Sequence, residues 1–239
     1  TVGGEIDKPI NTLCWMISQM RDKHGRVTVP GFYDDVVELT QEERDAFKRL
    51  PYNEEEYCKD LDIKAVNGEI GFTTLERVWA RPSFDLNGIW GGYTGAGSKT
   101  VIPSKAHAKF STRLVPNQDP DDVFKKIKDH MERLTPPTMK LKLELLGGGN
   151  AAMTPIDSTG VKTAQSALRK AFGVEPVFMR EGGSIPIVVL FQEVLDAPAV
   201  LLGFGLPSDN IHSPNENFSL DNYYGGIKAI ATFLKEYKK

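Results

Sequence analysis

Cysteine is almost absent from this chain: Cys14 and Cys58 are the two present in 239 residues. They lie far apart with no Cys-x-x-Cys, so neither a disulfide framework nor a cysteine-built metal cluster is expected. Cys14 falls on the apolar side of a helical pattern, which predicts a buried free thiol and suits a reducing cytoplasm. No apolar run approaches the roughly 18–20 residues of a membrane span. Charge of one sign is also lacking: 29 Lys and Arg against 32 Asp and Glu give −3, with a pI near 5.9. Nucleic acid and acidic membrane surfaces are therefore not expected as partners. His-Glu-x-x-His, Gly-x-Ser-x-Gly and a P-loop are all missing. The run Gly95-Ala96-Gly97-Ser98-Lys99-Thr100 lacks the four-residue gap between glycines and opens no amphipathic helix, which argues against nucleotide binding. No signal peptide is visible.

What is present is ordinary globular composition, 40% hydrophobic and 26% charged, with clear periodicity. Residues 7–22 read as an amphipathic helix capped by Asp7, with Pro9 in its first turn and Ile10, Leu13, Cys14, Ile17 and Met20 as its stripe. Residues 119–134 read as a second helix, with Asp119 as cap, Pro120 at the first position, and Val123, Phe124, Ile127, Met131 and Leu134 facing inward. Alternation over 106–114 and 140–145 predicts two strands. Helix, strand, strand, helix, strand is most of a ferredoxin-like β-α-β-β-α-β unit whose first strand is missing. Residues 24–80 form a charged insertion, helical around 40–50, where Thr40 and Glu43 make a capping box. At Gly147-Gly148-Gly149 the composition shifts toward a hinge. Beyond it helix (158–172), strand, helix, strand and helix (220–237) indicate a parallel α/β sheet.

Two runs carry the chemistry. In Arg180-Glu181-Gly182-Gly183-Ser184-Ile185-Pro186, the strand 177–179 leads through a glycine pair into a helix start. Free backbone N–H groups and Ser184 as N-cap make this turn suited to a carboxylate or phosphate, and Glu181 beside it suits an amine. In Ile211-His212-Ser213-Pro214-Asn215-Glu216, His212 sits in a loop after the apolar strand 199–202, where α/β sheets carry ligands. His212 alone makes no zinc site, because catalytic zinc takes about three protein ligands plus water. His24 and His130 read as solvated surface residues. His107 shares a polar strand face with Arg113, which leaves a role at the same site open. Arg113, at a strand end, suits bidentate grip of a carboxylate.

Together these runs resemble the dinuclear zinc peptidases that include carnosinase, cytosolic non-specific dipeptidase, carboxypeptidase G, acetylornithine deacetylase and succinyl-diaminopimelate desuccinylase. The carnosinase and non-specific dipeptidase branch is nearest. Residues 31–36, 91–103 and 111–116 extend the resemblance through most of the chain. The resemblance implies that Thr100, Arg113, Glu181, Gly182, Gly183 and Ser184 bind substrate and that His212 is a zinc ligand, the one among the four histidines. It implies two zinc ions in the whole enzyme, whose other ligands and general base come from an N-terminal half. Nothing of that kind precedes Thr1, so a C-terminal fragment without activity of its own is expected. Gly147 stands where the branch commonly has a histidine, a departure bearing on substrate.

The expected architecture is thus α/β: a ferredoxin-like dimerisation (lid) domain over 1–146, then the C-terminal half of a zinc-peptidase catalytic domain over 147–239. The expected function is hydrolysis of amide bonds in small peptides by a cytoplasmic homodimer with a site shared between subunits. Two alternatives stay open, a deacylase of N-acyl amino acids and a non-catalytic dimerisation or binding module.

Overall fold

The computed structural model describes residues 3–182 and 185–237. They form two compact units, Thr1–Ala151 with Arg180–Ser184, and Ala152–Met179 with Ile185–Lys239.

The first unit is organised by helix α1 (Pro9–Ser18), the hairpin β1 (Ser83–Gly91) and β2 (Ala106–Arg113), and helix α5 (Pro120–Leu134). The strands pair antiparallel from Ser83 opposite Arg113 to Gly91 opposite Ala106, with a register shift between Leu86 and Gly88. Phe84 and Phe110 pack at 4.7 Å between ring centroids, tilted by 31°, on the inner face. Met16 and Met20 from the α1 side, Phe32, Phe84, and Val123, Ile127 and Met131 of α5 close the core. Asp119 caps α5 through the Asp122 amide at 2.9 Å, as expected. Gln118, 3% exposed, ties the hairpin's exit to the insertion: its Nε2 donates to the Phe32 carbonyl and its Oε1 accepts from Val115.

Three expectations fail here. Helix α1 begins after Lys8, and Asp7 accepts from the Thr138 hydroxyl instead of capping. Its inward side carries Met16, Ile17 and Met20, which turns Cys14 to solvent; its thiol is exposed. Residues 140–145 alternate as expected, with Leu141 and Leu143 packed on the core, but no strand pairs with them among the described residues. A strand is defined by its ladder, so this segment remains extended chain.

The insertion holds α2 (Gln41–Lys48), α3 (Glu54–Asp60) and α4 (Thr74–Ala80). The Thr40–Glu43 capping box forms, and a second one, Thr73–Glu76, starts α4. Its interior is polar and paired. Arg81 lies 4% exposed with Nε and Nη2 on the two Glu69 oxygens at 2.8 and 2.9 Å. The Arg81 guanidinium also faces the Phe72 ring at 4.3 Å and the Tyr33 ring at 4.7 Å. Arg44 bonds buried Glu76 at 2.8 Å, and Phe47 meets Trp79 edge-on at 5.1 Å, which joins α2 to α4.

The second unit comprises α6 (Thr159–Phe172), α7 (Pro186–Leu195), a short 3-10 turn (Pro207–Asp209) and α8 (Leu220–Glu236). Ser158 and Ser219 cap α6 and α8, and Gly173 ends α6 with φ +72°, where an L side chain is disfavoured. Gly225 and Gly226 on α8 let the helix approach the Phe172 and Phe204 rings. The expected strands at 177–179 and 199–202 do not form among the described residues, and Val177, Met179 and Leu201 are exposed. Buried parallel strands need neighbours on both edges, and these segments have none here.

Candidate functional site

The β1–β2 connection, residues 92–105, is far longer than the 2–5 residues usual for a hairpin, the mark of a functional loop. It is internally ordered. The Tyr93 hydroxyl donates to the Ala96 carbonyl at 2.8 Å, and Gly95 lies so close beneath that ring that a Cβ would sit 2.6 Å from the hydroxyl oxygen. The Val101 amide bonds the Lys99 carbonyl at 3.0 Å, which places exposed Thr100 at the apex of a three-residue turn. Lys99, Val101 and Tyr93 line one shallow groove with Trp90 and His107, so Thr100 belongs to the loop end of the hairpin.

Arg113 belongs to the other end, opposite Ser83. Seven residue steps of β2 separate it from Ala106, about 23 Å at the usual strand rise. An extended dipeptide spans only about 7 Å. The two ends of β2 are therefore farther apart than one small peptide reaches, with the Thr100 loop at one end and Arg113 at the other. His107 and Arg113 lie six residue steps apart on β2, about 20 Å, which goes against the open expectation that they share a site. His107 instead stacks on Trp90, 5.1 Å between centroids and 12° from parallel.

Arg180 and Gly182 are placed by the insertion. The Arg180 guanidinium donates to Glu43 Oε1 on α2, while Glu43 Oε2 accepts from the Thr40 amide and hydroxyl. Burial pushes the Glu43 carboxyl up, but the Thr40 and Arg180 donors outweigh it and hold it below its ordinary value. Gly182 passes against α4, where a Cβ would lie 2.7 Å from the Val78 carbonyl oxygen. Glu181 is exposed between them. Gly183 and Ser184 lie outside the described residues. The residue preceding the first turn of α7 is Ile185, which offers no side-chain cap.

His212 is exposed on a tight loop of the second unit with φ +61°, between Asn210 and Asn215, which also have positive φ. Asp209, 2% exposed, accepts the Leu206 amide at 2.8 Å; the Asn217 amide bonds the Asp209 carbonyl at 2.9 Å and its side chain reaches the Ser208 and Asn215 carbonyls. Asn217 and Asp209 thus shape the His212 loop, a role the sequence did not reveal because the bonds join residues 208–209 to residue 217. Among the described residues no three His, Cys, Asp or Glu side chains come together as a metal site. These residues alone do not fit a metal ion.

His24 is exposed as expected. His130 is not a solvated residue: it borders the buried side of α5 beside Ile127 and Met131, and its Nε2 is buried without a hydrogen-bond partner. Burial, and after it Arg133, pushes its imidazole below the ordinary histidine value. Among the described residues no helix is long and apolar enough to cross a membrane.

The chain belongs to the M20 peptidase dimerisation domain family, whose profile matches residues 2–139. It is 34% identical over 239 residues to the human Beta-Ala-His dipeptidase, covering 99% of this chain and 47% of that protein. The M20 metallo-carboxypeptidase Sso-CP2 of Sulfolobus solfataricus superposes with a TM-score of 0.83 at 36% identity, over 98% of this chain and 53% of its own. The Saccharomyces cerevisiae dipeptidase Dug1p gives 0.81 at 31% identity, over 98% and 50% respectively. The chain thus spans about half the length of the relatives it matches.

Proposed function

We propose that this chain is the substrate-gripping part of a zinc-dependent dipeptidase that works as a homodimer in the cytoplasm. The relatives' names, Beta-Ala-His dipeptidase and Cys-Gly metallodipeptidase, support peptides as substrates and a metal as cofactor. His212 is the one zinc ligand contributed here, and the remaining ligands and the general base belong to residues outside these 239. This chain's own work is binding. Arg113, the Gly182 and Gly183 amides and Ser184 hold the substrate carboxylate, and Glu181 orients the amine end.

The observation that carries this reading is the length of the hairpin. Ala106, where the Thr100 loop rejoins the sheet, and Arg113 stand about 23 Å apart along β2, which supports a reading in which Thr100 and Arg113 serve different sites. In a two-fold dimer Thr100 reaches the substrate held by the other subunit's Arg113 and Ser184. Inactive Thr100→Ala and Ser184→Ala variants of the full-length protein, mixed under conditions of subunit exchange, should regain part of the dipeptidase activity. Absence of rescue despite exchange rejects the shared site. Dipeptides and N-acyl amino acids assayed with and without chelator separate peptidase from deacylase, and activity insensitive to chelator rejects the metal. Inactivity on every amide would favour a binding module.

A further inference from the structure

Residues 180–182 are bracketed by two helices from far earlier in the chain, Glu43 of α2 lying 137 positions before Arg180 and Val78 of α4 lying 104 before Gly182. On one side the Arg180 guanidinium donates to Glu43 Oε1, with side chains only 24% and 34% exposed. On the other, Gly182 lies so close to the Val78 carbonyl that no larger residue fits without a shift. Helices α2 and α4 are themselves joined, by Arg44 on Glu76 at 2.8 Å and Phe47 against Trp79. Glu43 divides its carboxylate between tasks: Oε2 closes the cap of α2 through Thr40, and Oε1 is left for Arg180. Arg180 is therefore already neutralised and is unsuited to meeting a substrate carboxylate itself.

We infer that the insertion 24–80 is a positioning frame for the substrate-carboxylate turn, with Glu43 and Arg180 as its latch and Gly182 as its close-packed seat. The inference rests on the proposed role of the Gly182 amide in holding the substrate carboxylate. Backbone amides aim at an anion only if the chain entering the turn is fixed, and a misplacement of about 1 Å costs binding steeply. The latch fixes that entry on a rigid helix pair. Its breakage should weaken the grip on a free C-terminal carboxylate while leaving other substrate contacts unchanged.

The test uses Glu43→Gln and Arg180→Met in the full-length protein. Glutamine retains the capping box, since either Glu or Gln serves at that position, and methionine keeps the aliphatic stem, so folding is spared in both. The KM for a dipeptide with a free carboxylate should rise about tenfold or more, the scale of one lost charge-assisted bond. The KM for the same dipeptide amidated at its C-terminus, and the kcat for both, should stay within about twofold. Amide hydrogen exchange over the peptide containing residues 180–182 should speed up in both variants. Unchanged exchange overturns the latch whatever the activity. Faster exchange with no KM change, or with equal rises for free and amidated substrate, overturns the positioning role. A wild-type enzyme indifferent to the free carboxylate would instead reject the carboxylate reading and the positioning role with it, while exchange still judges the latch.

Discussion

Replacing Glu69 with Ala should be the most damaging single change in the insertion. Glu69 is 8% exposed and receives three charge-assisted bonds, two from Arg81 at 2.8 and 2.9 Å and one from Arg26 at 2.8 Å. Arg26 is half exposed and recovers water when the carboxylate goes. Arg81, 4% exposed, cannot. It keeps Glu38 at 3.1 Å and the faces of Tyr33 and Phe72, but a buried cation loses its bidentate partner. Breaking a buried pair from one side costs about 3–5 kcal/mol, and because Glu38 remains the lower figure applies, about 3 kcal/mol. All three tryptophans, Trp15, Trp79 and Trp90, belong to the first unit, so their fluorescence follows that unit's unfolding. The urea midpoint should fall by roughly 1–3 M with an unchanged slope. A Glu69→Leu, Arg81→Met double variant removes both charges together and should recover most of the loss, ending within about 1 kcal/mol of the wild type. A Glu69→Ala midpoint unchanged within error would refute the reasoning, because it would mean Arg81 is solvated or re-paired without this carboxylate.

Three further outcomes are expected. Gly225→Ala places a Cβ 2.5 Å from the Phe172 ring, so it should cost the second unit about 1–3 kcal/mol; a calorimetric transition unmoved by this change contradicts the α6–α8 packing. His130 has a depressed folded pKa, so the unfolded chain binds more protons once pH drops below its ordinary value; stability is whole above about pH 6.5 and is lost as pH falls through the folded pKa. Melting temperature should therefore decline on acidification, and a His130→Leu variant should decline less over the same range, whereas parallel curves would remove His130 as the cause. His212→Ala in the full-length protein should lower metal content measured by atomic emission, while His24→Ala leaves it unchanged; equal stoichiometry in both would exclude His212 as a ligand.

The sequence showed best what is decided within a few residues. Asp119 before Pro120 and Thr40 with Glu43 are caps, closed by bonds between residues three apart, and both form as read. The stripe on α5 likewise needs only a period of 3.6, and Val123, Ile127 and Met131 are buried on it. His130 was misjudged because it sits at the stripe's edge, where periodicity assigns no side. Cys14 failed for a related reason: residues 10–20 offer several apolar rows, and the one that faces inward carries Met16, a choice made by what packs opposite it.

The insertion shows the limit from the other direction. Arg26, Glu38, Glu69 and Arg81 are unremarked charges in a polar stretch, and nothing local marks them as a buried network. Arg180 and Glu43 are 137 positions apart, and the glycine at 182 reads as turn freedom when its contact with Val78 makes it a matter of space. Strands carry the same dependence on distant partners. The alternation over 140–145 is correct for a half-buried strand, and Leu141 and Leu143 do face the core, yet pattern alone supplies no neighbour to bond with. Segments 177–179 and 199–202 have the apolar character of sheet interior, but Val177, Phe178, Met179 and Leu201 are exposed. Exposed apolar surface of that kind marks an interaction face, and the pattern that reads as a strand in the sequence is here unpaired apolar chain.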